Sequence, residues 1–110
     1  MVIGVIGSRG FNDYELLSKT LKEYSPTLIV SGGAKGADLL AEKWASENKI
    51  ETLIFLPDWS KGKSGAAIRN IKIVEASEIL IAFWDGTSKG TKMTIGIAKK
   101  ANIPTIIINI

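Results

Sequence analysis

The chain has 110 residues, 45% of them apolar, with 14 basic and 11 acidic side chains and a net charge of +3. That size suits one domain, residues 1–110, around a single core. It contains no cysteine and no histidine, which excludes a disulfide framework, the usual zinc sites and any nucleophile system built on Cys or His. Neither a metal nor a cofactor is expected, and any chemistry must come from Arg, Lys, Asp, Glu, hydroxyls or backbone amides. The longest apolar runs, "EILIAFW" and "PTIIINI", fall short of the ~18 residues of a membrane span, and "MVIGVIG" lacks the basic start of a leader. A cytoplasmic protein with no membrane contact is expected. The basic excess is mild and spread along the chain, as on a solvated surface, and still suits an anionic ligand.

In chain order, "MVIGVIG" (1–7) reads as a buried strand. "NDYELLSKTLKEY" (12–24) follows as a helix, with Leu16, Leu17, Leu21 and Tyr24 at helical spacing, Asn12 as N-cap and Glu15 as its capping-box partner. "TLIVS" (27–31) is a second strand, and "GADLLAEKWASEN" (36–48) a second helix with Ala37, Leu40 and Trp44 on one face. "TLIFLP" (52–57) gives a third strand, and "SGAAIRNIKIVEAS" (64–77) a third helix whose best apolar stripe is Ala67, Ile71 and Val74. "EILIAFW" (78–84) gives a fourth strand, "GTKMTIGIAKKAN" (90–102) a helix with Met93, Ile97 and Ala101 inward, and "PTIIINI" (104–110) a fifth strand. Five strands alternating with four helices make an α/β fold with a parallel sheet, order 3-2-1-4-5, and helices on both faces.

Such sheets bind ligands beyond the carboxyl ends of their strands, where the strand order reverses. All four turns at that edge carry suitable chemistry. "GSRGF" after strand 1 brings Gly7, Ser8 and Arg9, with glycine for close approach and arginine as a fork for phosphate or carboxylate. "SGGAKGAD" after strand 2 brings Ser31, Gly32, Gly33, Gly36 and Asp38, a glycine-rich turn that matches neither the dinucleotide fingerprint nor the Walker pattern. Asp38 near the start of its helix reads either as complementing the helix dipole or as contacting a ribose or ordering the loop. The long loop "PDWSKGKSGAAIRN" after strand 3 offers Trp59 as a stacking surface or an apolar plug, and Arg69 and Asn70 one turn into the helix. After strand 4, "WDGTSKGTKMT" supplies Trp84 as a second candidate stacking surface, with Asp85, Gly86, Ser88, Gly90 and Thr91. Four such turns on one edge read as an anion site, its phosphate cradle the amides around Gly32, Gly33 and Gly36 together with Ser88, Gly90 and Thr91.

"GSRGF", "VSGGAKGADLLAEKWA", "PDW" with "GKSGAAIRN", and "LIAFWDGTSKGTKM" together resemble the YspA/YpsA-related branch of the SLOG superfamily, which also holds the DprA/Smf proteins and the Lonely Guy phosphoribohydrolases. The resemblance implies a three-layer Rossmann-like fold, a pocket for a nucleotide or nucleotide-derived ligand such as ADP-ribose, and a homo-oligomer. It also bears on catalysis. Lonely Guy enzymes carry P-G-G-x-G-T-x-x-E and an upstream arginine; here Gly90 and Thr91 match the G-T pair and Arg69 the arginine, while Thr94 stands at the glutamate position. Threonine cannot act as a carboxylate. The expectation is a non-catalytic binder, a sensor or a sink, with Arg69, Asp85 and Asp38 as the catalytic candidates of the alternative, an N-glycosidase. Single-stranded nucleic acid is the least favoured partner, because the lysines are dispersed.

Overall fold

The computed structural model describes all residues 1–110. Strands β1 (Val2–Gly7), β2 (Leu28–Ser31), β3 (Glu51–Ile54), β4 (Ile79–Trp84) and β5 (Thr105–Asn109) form one all-parallel sheet in the order β3-β2-β1-β4-β5. Helices α1 (Tyr14–Tyr24), α2 (Ala37–Glu47), α3 (Lys63–Ala76) and α4 (Lys89–Lys100) make the crossovers, so the expected α/β order 3-2-1-4-5 holds.

Strand residues alternate between two cores, as the pleat requires. Ile3, Val5, Ile29, Ile79, Ile81 and Phe83 face α1 and α2, meeting Leu17, Leu21, Ala41, Trp44 and Ala45. Ile6, Val30, Leu80 and Ala82 face the other pair, meeting Ile73 and Val74 of α3 and Ile95 and Ala98 of α4. With both faces covered, β1 and β4 read as unbroken apolar runs. The edge strand β3 is exposed along its whole length, including Leu53 and Ile54.

Several local expectations shift. Asp13, not Asn12, caps α1, its carboxylate accepting from Leu16 N at 3.1 Å. In α3 the buried positions are Gly65, Asn70, Ile73 and Val74, and Ile71 is exposed. In α4 they are Thr91, Thr94, Ile95 and Ala98, with Met93 and Ala101 outside. Both helices carry polar groups inward where their first two turns border the carboxyl ends of the strands, so apolar spacing alone picks the wrong face. Strand β3 ends at Ile54, and residues 55–58 lead into a one-turn 3₁₀ helix, Trp59–Lys61. No helix is long and apolar enough to cross a membrane.

Candidate functional site

The order reverses between β1 and β4, and there the chain is stitched tightly. Ser8 N donates to Phe83 O at 2.9 Å, and Asp85 N donates to Ser8 Oγ at 3.1 Å. Phe11 turns back under this loop and stacks on Phe83, ring centroids 4.8 Å apart. Arg9 and Gly10, between these anchors, are exposed. The second glycine turn passes directly beneath: Gly36 has φ 86°, and a side chain there would collide with the carbonyl oxygens of Ser8 and Arg9.

Part of the glycine turn expected to cradle phosphate is already engaged within the chain. Asp38 Oδ2 accepts from Gly32 N and Ala34 N, each at 3.2 Å, and Ser31 Oγ accepts from Gly33 N at 3.3 Å. A carboxylate of the chain itself fills the place an anion would take. Ser31 is fully buried and donates to Glu42 Oε2 at 2.7 Å.

The free helix ends lie at the next two turns. Neither α3, which follows Gly62, nor α4, which follows Ser88, has a side-chain cap, so the amides of Lys63 and Ser64 in α3 and of Lys89, Gly90 and Thr91 in α4 have no partner in the chain and remain open to an anion. Asp85 Oδ1 shapes the α4 entry by accepting from Thr87 N at 2.8 Å and Ser88 N at 2.9 Å, and these bonds lower its pKa. Trp84 Nε1 donates to Ser88 O at 3.1 Å, and the Ser88 and Thr91 hydroxyls lie 3.1 Å apart.

These segments enclose a cleft of about 880 Å³. Of the residues singled out from the sequence, Gly7, Ser8, Arg9, Asp38, Arg69, Asn70, Asp85, Ser88, Gly90 and Thr91 line it. Ser31, Gly32, Gly33, Gly36, Gly86, Trp59 and Trp84 do not. Trp59 is 65% exposed on the loop after β3, and Trp84 packs in the core beside α4, so neither indole offers the cleft a stacking face. Sequence reasoning passed over Lys63, Ser64 and Lys89, which also line the cleft. Their signal was position: each belongs to the first turn of a helix that starts at the carboxyl edge.

Arg69 holds the floor together. Its Nη1 donates to Gly32 O at 2.6 Å and its Nε to Asn70 Oδ1 at 2.8 Å; burial lowers its pKa, Asp38 opposes that, and Arg9 adds to it. Burial pushes the pKa of Asp38 up to about 6, against the pull of the Ala34 amide, Arg69 and the Gly32 amide. Thr94, 2% exposed, donates to Gly90 O at 2.9 Å.

The profile of the YspA, cpYpsA-related SLOG family matches residues 1–62. The gene 61 protein of Mycobacterium phage D29 is 38% identical over 86 residues, 72% of this chain and 69% of that protein. The chain belongs to the YspA, cpYpsA-related SLOG family. The fold of this SLOG chain is also that of DNA processing protein A (DprA). The Streptococcus pneumoniae protein superposes with a TM-score of 0.81 at 20% identity over 96% of this chain and 49% of that one. The Helicobacter pylori protein, described for its single-stranded DNA binding mode, gives 0.75 at 20% identity over 97% and 64%. The SLOG chain thus spans half to under two thirds of these two proteins.

One expectation falls here. Nucleic acid was set aside as a partner because the lysines are dispersed in the sequence, yet a protein of this fold has a single-stranded DNA binding mode. The physical reason is that dispersion along a chain is not dispersion in space: Arg9, Lys63, Arg69 and Lys89 come from three separate segments and share one cleft.

Proposed function

We propose that this cleft binds a nucleotide or nucleotide-derived phosphate ligand of the ADP-ribose kind, as a sensor or a sequestering protein rather than an enzyme. The observation that carries the reading is the convergence of Arg9, Lys63, Arg69 and Lys89 with two uncapped helix starts on one cleft. Positive side chains and free amides favour phosphate oxygens. The non-catalytic part rests on Thr94, which stands where the related hydrolases place a glutamate and whose hydroxyl is bonded to its own helix.

Mixing the protein with ADP-ribose and adenine and guanine nucleotides, then assaying the free pool before and after heat denaturation, tests both parts. A compound that vanishes and returns intact is bound. Return as free base and sugar phosphate would mean an N-glycosidase, with Asp38 or Asp85 as its acid, and Asp38→Asn or Asp85→Asn should then abolish turnover. Arg9→Ala and Arg69→Ala should each weaken binding by about tenfold or more, the worth of a charge-assisted hydrogen bond.

Single-stranded DNA is a second reading, favoured by the Helicobacter pylori protein of the same fold. An oligothymidine that competes with the nucleotide for the native protein but not for Arg69→Ala would support it.

A further inference from the structure

We infer that Asp38 and Asn70 form a clamp for the vicinal hydroxyls of a ribose, so that the ligand lies with its phosphate over the first turn of α4 and its sugar over the floor between α2 and α3. The inference rests on the phosphate reading above and gives that ligand a direction and a class.

Two side chains of the cleft are more than nine-tenths buried: Asp38 is 6% exposed and Asn70 8%. Asp38 uses Oδ2 for the amides of Gly32 and Ala34, and its Oδ1 accepts nothing from the protein. Asn70 uses Oδ1 for Arg69 Nε, which fixes the amide's orientation and leaves Nδ2 with no acceptor. No fully buried side-chain polar atom in the chain lacks a partner, so both free atoms must reach the cleft that these residues line. They are tied into one structure, because Arg69 bonds Asn70 on one side and Gly32, whose amide holds Asp38, on the other.

A rigid acceptor beside a rigid donor selects its occupant. A phosphate over Asp38 would set an anion against a carboxylate, and a cation would meet Arg69 and Arg9. A neutral group that both donates and accepts satisfies the pair, as a hydroxyl does. A base edge could pair with the same atoms, but the cleft has no aromatic side chain among its lining residues to hold a base flat. The open amides and lysine of α4 lie at the other wall, and take the phosphate.

Calorimetric titration with ribose 5-phosphate, 2-deoxyribose 5-phosphate and inorganic phosphate tests this without assuming a base. The native protein should prefer ribose 5-phosphate to its deoxy form by about tenfold, the worth of a hydrogen bond to a charged group. In Asp38→Asn and Asn70→Ala that preference should shrink toward unity, the ratio of the two sugar affinities being read within each variant so that any change in phosphate affinity, such as loss of the Asn70 support for Arg69, cancels. Asp38→Asn keeps an oxygen for the Gly32 and Ala34 amides; should it misfold by circular dichroism, Asn70→Ala carries the comparison. Equal affinity of the native protein for the two sugars, with inorganic phosphate still bound, would overturn the clamp and leave the phosphate reading standing. Failure of all three compounds to bind would overturn both.

Discussion

Gly36, at φ 86° beneath the carbonyl oxygens of Ser8 and Arg9, shows how much one missing Cβ decides. Alanine there must adopt a backbone conformation costly to L residues and push the β1 turn away, so Gly36→Ala should cost about 3 kcal/mol. Its thermal midpoint should drop by more than ten degrees or so in a domain of this size. Asp38 makes a prediction of opposite sign. Its folded pKa of about 6 lies above the ordinary carboxylate value, so the folded state holds the proton more tightly than the unfolded chain. Stability from this group is therefore present at low pH and is lost as pH rises from about 4 to 6. Asp38→Asn should match the native protein near pH 4 and exceed it by up to about 3 kcal/mol at pH 7, read by urea unfolding at each pH. The other charges facing it are Arg69 from α3 and Glu42 from its own helix.

At the scale of elements, the stack of Phe11 on Phe83 ties the Arg9 turn to the sheet. Phe11→Ala removes a 6%-exposed ring and should cost about 3 to 5 kcal/mol. It should also weaken anion binding more than a cavity elsewhere in the core would, a difference visible by comparison with Leu17→Ala at matched stability. The strand and helix order was legible because each apolar run is bounded by glycine-bearing turns and alternates with a helical stretch. The inward faces of α3 and α4 were not. Asn70, Thr91 and Thr94 are buried because those helices point their first two turns at a polar cleft rather than at the core, and apolar periodicity has no means of showing that.

Across the whole molecule, four basic side chains drawn from three segments meet at one edge. A ligand held through one or two phosphates should show a shallow fall of log affinity with log salt, a slope of about −1, whereas a single strand engaging all four would give about −3. Titration at several salt concentrations separates the two readings of the cleft.

Some of this was settled by the amino-acid sequence alone: the α/β class, the sheet order, and the lack of Cys and His side chains, because alternation, turn residues and the right-handed crossover leave few arrangements. Which groups face the cleft was decided only in three dimensions. The glycine turn that reads as a phosphate cradle has its Gly32 and Gly33 amides occupied by Asp38 and Ser31, and both candidate stacking tryptophans lie off the cleft. Lys63 and Lys89, far apart in the sequence, meet Arg9 and Arg69 at it. Hydrogen-bond partners and convergence depend on distances between segments far apart in the chain, which local composition does not encode.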